Sequence, residues 1–490
     1  MKRDTTSASK VSAAMKGSLR PLAILLGIYT LMFFALAYRK YSIFANDSAD
    51  TAIFVHAYWA TLHGKFFWHY FLNMCFFGDH GGFILVALLP VYAIVPTVPA
   101  LLFLQSAFIA VTGIPMYLIA RKALQDQFAA LCVTAAFLLF PTIASQHVNQ
   151  IHDTQFIIVF LLFTFYFYYT EQFGRFVAFT LLSCLGKENV PLTLMMFGVY
   201  AALQRRHWKW IVTPVVVSIG AMALLFKVVM PYYRGNQPYR SFAYFGPLGD
   251  TPLQVLKTAV SEPGKVFSVL FGAQNVVFFI QLIQPVAWIL PFLSLSIIFV
   301  LPDLLVNLLA DNVSLKVIRW HYNLTVGAFL FVSAIFSIQK LNAWLANRFG
   351  AARYAAGFGV LLACLTLSSW TLWFDPNDYV RPPQADTLER ALAMIPGDQS
   401  VLVPQTMLAH VAKRWYFNTI QHWVYHEHKP EKIFDYKYII IDANERRPAW
   451  SVPQEVIKAY ASNPSYELML NEQNVLVFRR AGQDILQTKP

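Results

Sequence analysis

The chain has 490 residues, of which 57% are hydrophobic, 16% aromatic and only 13% charged. That is too apolar for a soluble enzyme of this length and marks a membrane protein. The formal charge of +12 does not point to nucleic acid, because much of the Lys and Arg sits in short clusters beside apolar segments, where orientation in a bilayer explains it.

Residues 1–20 are polar and basic, and the apolar run after them lacks a small-residue cleavage signal, so a retained first span is expected at about 21–38. With Lys2, Arg3, Lys10, Lys16 and Arg20 in the cytoplasm, this span delivers "ANDSAD" to the outer face and opens an external loop over 39–98. The apolar run at about 82–97 is short and holds Pro90 and Pro96. It is expected to lie half-buried on the outer side as a juxtamembrane half-helix. Crossings at about 99–120, 128–145, 154–170, 175–186, 189–204, 209–230, 266–284, 286–310, 324–338 and 353–374 then place the cationic turns on one side. The expected fold is an all-α polytopic membrane protein over 21–374 with about eleven transmembrane helices, N-terminus inside and C-terminal segment outside. Residues 266–310 are either two spans around Pro285 or one broken span. From 375 to 490, strand-like runs ("SVLVP", "YKYIIID", "NVLVFRR") alternate with helix-like ones ("DTLERALAMI", "PQEVIKAYA"), as in a small extracytoplasmic α/β domain. Cys132, Cys184 and Cys364 fall inside apolar spans, so with Cys75 they suggest neither a disulfide framework nor a CxxC metal site.

This topology gathers Asp47, Asp50, Asp79, His80, His152, Lys187, Glu188, Arg234, Arg240 and His321 at the outer ends of several spans, the pattern of a site built from loops on a helical scaffold. The sharpest feature is "LGKENVP". An ionised side chain at bilayer depth costs roughly 2.5–3.5 kcal/mol even on the lenient insertion scale. Lys187 and Glu188 are therefore either a pair capping two short spans or a buried cation and acid facing a polar cavity. Asp50 has an ordinary reading as a first-turn acid of the helix "TAIFVHAYWATL", and Asp47 as a solvated loop acid. In "GDHGG", Asp79 and His80 form at least a turn, a weak metal signal by themselves. The aromatic runs "KFFWHYF" and "FTFYFYY" read as interface belts, and "PYYRGNQPYRSF", with Arg234 and Arg240, as a loop able to hold a phosphate or to act as a lid.

The strings "DTAIFVHAYWATLHGKFF", "HGGFILVALLPVYAIVP", "LLFLQSAF", "IHDTQF", "CLGKENVPL", "YFGPLGDTP", "LPDLLVNLLADN" and "VLVPQTMLAHVAKR" resemble an uncharacterised prokaryotic membrane-protein family, domain of unknown function 2079, grouped with the GT-C superfamily of glycosyltransferases. The resemblance runs from about Tyr41 to Asp442. It implies an enzyme that moves a sugar from a polyprenyl-phosphate donor to a glycan, lipid or protein acceptor outside the cytoplasmic (inner) membrane. It also implies an acid of the first external loop as catalytic base, which falls on Asp50, with Asp47 second; His80, His152, Lys187 and Glu188 fall on further motif positions. The chain departs from the family pattern in reading "HGGF" where a proline is usual, and in carrying Asp153 where a proline is common after His152.

Such transfer needs a base near the acceptor hydroxyl, a cationic cradle for the departing phosphate, and a groove for an isoprenoid tail. Asp50 is expected to take the proton during an inverting in-line attack. Lys187, with Arg234 or Arg240, is expected to hold the phosphate, and His80, His152, Asp79, Glu188 and His321 to line its site. No nucleotide-sugar motif or glycine-rich phosphate loop is present, and no cofactor is required, although Asp47, Asp50, Asp79 and His80 could bind a divalent metal. The main alternative is a transporter or flippase for a lipid-linked or anionic substrate, which would place Lys187 and Glu188 at mid-membrane on broken helices.

Overall fold

The computed structural model describes residues 5–235, 239, 244–246, 248–350, 354–445 and 451–486; the side chains of 5–18, 252 and 426 lie outside the description. Long apolar helices form where the hydropathy pattern places them. Leu19–Ser42, Val98–Leu124, Trp208–Arg234 and His321–Phe349 are long and apolar enough to cross a membrane. Two bent pairs, Gln127–Leu139 with Pro141–Val148 and Pro263–Leu270 with Ala273–Val286, raise this to as many as six. The other expected crossings coincide with shorter apolar helices, including Thr154–Tyr169, Phe173–Ser183, Val190–Leu203 and Tyr354–Ser368. The eleven expected crossings thus resolve into four to six full-length spans and a set of shorter apolar helices.

The segment expected to be half-buried is helix Ile84–Ile94, 11 residues with Pro90 inside. At about 1.5 Å per residue it is too short to cross a core about 30 Å thick. It packs beneath helix Ala49–Leu62, where the Tyr58 hydroxyl donates to the Leu85 carbonyl at 3.1 Å and the Tyr58 and Tyr92 rings stack. Residues 266–310 resolve into two limbs side by side: the chain breaks at Ala287 and Trp288, both at positive φ, and Asn275 on the first limb donates to the Leu308 carbonyl on the second at 2.8 Å.

Burial separates the helices by position. The half Leu324–Ile338 of the last long span is buried on almost every face, so it runs through the centre. Trp208–Leu224 buries only Trp210, Pro214 and Ser218 and presents Val212, Val216 and Ile219 outward, as a lipid-facing helix does. It continues through one π turn, Leu225–Val229, which rotates the helix face just before Arg234.

A two-stranded hairpin, β1 (Trp68–His69) and β2 (Met74–Cys75), closes the loop before "GDHGG". The C-terminal region carries β3 (Val401–Leu402), β4 (Phe417–Asn418), β5 (Tyr438–Asp442), β6 (Tyr466–Glu472) and β7 (Val475–Arg480) in the order β4-β3-β5-β7-β6. The first three are parallel and the last two antiparallel, with helices Ala385–Ala393 and Gln454–Ser462 alongside in sequence. This sheet shares a continuous core with the helical bundle. The contacts are specific: Ser48 donates to the Gln405 carbonyl at 2.8 Å, His56 Nδ1 lies 3.0 Å from the Ala412 carbonyl, and the rings of Tyr41 and His410 stack at 4.0 Å. The α/β unit is therefore seated directly on the first loop.

Candidate active site

Asp50 occupies the first turn of Ala49–Leu62, where the helix dipole favours an acid. The ordinary reading of this residue is thus correct as local structure, but its carboxylate is not spent on capping. Oδ2 lies 3.1 Å from His152 Nε2, and the Asp50 backbone N–H donates to the Gln150 side chain. His152 in turn stacks on His321 with ring centroids 3.4 Å apart. Burial works to raise the Asp50 carboxyl. His152, by charge and hydrogen bond, then Lys187 and His69 outweigh it and hold the group below its ordinary value.

Lys187 and Glu188 sit in the turn between Phe173–Ser183 and Val190–Leu203, at helix ends and not at mid-helix. They do not form one unit. Glu188 Oε1 accepts from His80 Nδ1 at 3.1 Å and from the Tyr239 hydroxyl at 2.5 Å, while Oε2 accepts from the Gly81 N–H at 3.1 Å. His80 Nε2 faces Asp79 Oδ2 at 3.3 Å, so both ring nitrogens meet carboxylates. Against the effect of burial, these contacts hold Glu188 below and His80 above their ordinary values. A glycine is required at 81, because a Cβ there would come within 2.8 Å of the Gly186 carbonyl.

Lys187 has different contacts. Among the described residues its ammonium makes no ion pair, and it lies 5.3 Å from the Tyr322 ring. Burial opposes the charge, but the field of Glu188, Tyr322 and Asp153 keeps the ammonium above its ordinary pKa, so it stays protonated. The result is a half-buried cation held charged by nearby acids but, among the described residues, not in contact with one.

Two cavities meet at His321. One, of about 310 Å³, is polar and lined by Asp47, Asp50, Gln150, His152, Arg319 and His321 among others. The second, of about 500 Å³, is mostly apolar, lined by Leu192, Met222, Phe226, Val306 and Leu309, with Lys187, Glu188, Tyr322 and His321 at its polar end. A third cavity of about 400 Å³ lies at the far end of Thr154–Tyr169, among Tyr168, Tyr200, Arg206 and Lys340.

The remaining expected site residues are placed as follows. Asp47 Oδ1 accepts from the Ala49 N–H at 3.2 Å and from Gln405 Nε2 at 3.1 Å, so it lines the polar cavity while tying the loop to the C-terminal sheet. Arg234 packs its backbone on Gly78 and its guanidinium over the Tyr239 ring at 5.2 Å, with Nε and Nη1 buried and lacking a hydrogen-bond partner among the described residues. Arg240 lies outside the described residues. Asp47, Asp50, Asp79 and His80 do not converge: among the described residues no three His, Cys, Asp or Glu side chains form a group able to hold a metal ion.

A family model described as "Predicted membrane protein (DUF2079)" matches residues 40–477. The chain belongs to the DUF2079 family. This DUF2079 chain is also similar in fold to ArnT from Cupriavidus metallidurans bound to undecaprenyl phosphate: 12% identity, TM-score 0.52, covering 91% of this chain and 97% of that one. The apo state of the same ArnT gives a TM-score of 0.50 at the same identity and coverage. The likeness to ArnT is one of fold. No curated protein matches the DUF2079 chain in sequence.

Sequence reasoning missed three residues of this DUF2079 site. His69, in the aromatic run read as an interface belt, is buried in β1 and pushed down to about 4 by burial, against the pull of Asp79 and Asp50. A lone imidazole inside "KFFWHYF" was the available signal. Tyr239 and Tyr322, the partners of Glu188 and Lys187, gave no comparable signal in a chain with 24 tyrosines.

Proposed function

We propose that this DUF2079 protein is an integral-membrane glycosyltransferase of the GT-C type, moving a sugar from a polyprenyl-phosphate donor to an acceptor hydroxyl with inversion. One observation carries the reading: the Asp50 carboxylate lines a polar cavity and the Lys187 ammonium a mostly apolar one, and His321, stacked on His152, lines both. The donor's isoprenoid tail lies in the apolar cavity among Leu192, Phe226 and Val306. Its phosphate sits at the polar end opposite the Lys187 ammonium, with Arg234, at the end of helix Met230–Arg234, and Arg240 as further cations. The undecaprenyl phosphate bound to ArnT, a protein of the same fold, supports this class of donor.

Asp50 is the base, oriented by His152 through the 3.1 Å contact. The acceptor oxygen attacks the anomeric carbon and its proton passes to Asp50. The bond from that carbon to the phosphate oxygen breaks, its electron pair leaving on the polyprenyl phosphate, where Lys187 stabilises the developing charge. A carboxylate held below its ordinary range is a weak base, which suits a late proton transfer from a hydroxyl made acidic by attack on an oxocarbenium-like centre. The His80–Glu188 contacts fix the turn that presents Lys187. In this reading Asp47 is a second-choice base, and the site faces outward across the cytoplasmic membrane, with the N-terminus inside and residues 375–490 outside.

Alternating access would instead hold Lys187 and Glu188 at the membrane midplane on broken helices; a measured depth for Glu188 near the outer interface is the result expected here. The test is mass spectrometry of envelope glycolipids and glycans from cells with and without the gene and with Asp50→Asn. Loss of one sugar increment in both the deletion and the variant is expected; an identical profile in all three strains would overturn the proposal.

A further inference from the structure

The C-terminal sheet has an unassigned feature. Its parallel strands run β4-β3-β5, so the chain leaves β3 toward β4 on one side and leaves β5 toward β7 and β6 on the other. Where two adjacent parallel strands send their connections in opposite directions, a crevice opens outside their carboxyl ends, the usual ligand position in open α/β sheets. Here an open cleft of about 900 Å³ lies at that place. Thr406, just after β3, and Asp442 and Asn444, at the end of β5, line it with Gln384 and Arg381, and Phe44 and Ala45 of the first loop form its opposite wall. Ala45 and Asp378 line both this cleft and the polar cavity holding Asp50, so the two spaces adjoin.

The lining states what fits. Asp442 accepts from Gln384 Nε2 at 3.1 Å and from the Asn444 N–H at 2.9 Å, which uses two of about four acceptor positions of a carboxylate. Asn444 and Asn474 each commit one amide hydrogen, to the Gln473 and Asn444 oxygens, and keep the other. Among the described lining residues, Arg381 is bonded to Asp386 and Glu389 and Asp378 is paired with Lys40, while the Asp442 carboxylate keeps acceptor positions. Paired amide and carboxylate groups suit adjacent hydroxyls, and the Asp442 carboxylate disfavours phosphate- or carboxylate-bearing ligands.

We infer that this cleft is the acceptor site, taking a neutral or amine-bearing oligosaccharide and passing its terminal hydroxyl toward Asp50. The binding stands on the cleft alone; only the role as acceptor rests on the glycosyltransferase reading. Val380 is the handle for a test, because it lines the cleft, is 66% exposed and makes no side-chain hydrogen bond, so Val380→Trp fills the space without removing a structural contact.

The full chain in lipid nanodiscs is titrated with a neutral glucan oligomer, a glucosamine oligomer, an oligogalacturonate and an oligolysine, using wild type, Val380→Trp and Asp50→Asn, with melting temperature and undecaprenyl-phosphate binding recorded for each. The first two saccharides are expected to bind, with at least a tenfold loss in Val380→Trp, little change in Asp50→Asn, and melting and lipid binding retained. Binding only of oligogalacturonate or oligolysine, no saccharide binding, or equal binding by a folded Val380→Trp overturns the inference. If saccharide binds in the cleft but no sugar moves from any polyprenyl-phosphate donor, the site stands and the glycosyltransferase reading fails. If Asp50-dependent transfer occurs without saccharide binding in the cleft, the reverse holds.

Discussion

Lys187→Met removes the cation that the donor phosphate is expected to meet. Among the described residues its ammonium lies 5.3 Å from the Tyr322 ring and within the field of Glu188 and Asp153 but within ion-pair distance of no carboxylate. A phosphate oxygen about 4 Å from this ammonium would gain roughly 4 kcal/mol at an effective dielectric near 20. Net of desolvation, a hydrogen bond to a charged group contributes about 1.5–3 kcal/mol. At about 1.4 kcal/mol per decade, the variant should bind undecaprenyl phosphate about 10- to 150-fold more weakly. The free protein should also lose some stability, because the folded state holds the ammonium above its ordinary pKa through Glu188, Tyr322 and Asp153. The assay is titration of the purified chain in nanodiscs alongside a melting curve. Unchanged affinity in a folded variant would refute the placement of the phosphate.

Asp50→Asn should retain donor binding within a fewfold and lose about 10²- to 10⁴-fold in transfer rate, measured by single-turnover transfer from a radiolabelled polyprenyl-phosphate sugar. Glu188→Gln should lower stability by about 1–3 kcal/mol, because His80 loses its carboxylate in a largely buried setting; chemical denaturation reads this. The pH dependence has a defined sign. Glu188, lowered, contributes stability above its ordinary 4.5 that is lost as pH falls through its folded value. His80, raised, contributes stability below its ordinary 6.5 that is lost as pH rises through its folded value. Melting temperature should therefore be highest between these limits and decline on the alkaline side, and Glu188→Gln should flatten that decline. Gly81→Ala should cost about 1–3 kcal/mol by overpacking against the Gly186 carbonyl, with Lys187-dependent lipid binding impaired as well; a stable variant with normal binding would show that the turn adapts freely.

How much of this was legible in the sequence depended on the kind of signal. Spans and the half-helix follow from apolar length and proline placement, which is why Ile84–Ile94 forms where expected. Helix breaks, such as that between Leu139 and Pro141, depend on packing and blur the count of crossings. The strands at 401–402, 438–442 and 475–480 follow from β-branched runs, but the two-residue β4 and the mixed "YELMLNE" of β6 carry no such pattern. In the site, the separate partners of Lys187 and Glu188 were not readable, because adjacency in sequence says nothing of what two side chains meet on leaving a turn. His69 was hidden by its aromatic neighbours, and the contact between Asp47 and Gln405 joins residues 358 positions apart.

The most direct measurement is a cryo-electron microscopy structure of the full chain with undecaprenyl phosphate. The account expects a phosphate oxygen about 3 Å from Lys187 Nζ and the isoprenoid tail in the cavity lined by Leu192, Phe226 and Val306. A phosphate seated instead at the opposite end, beside Arg206 and Lys340, would contradict it.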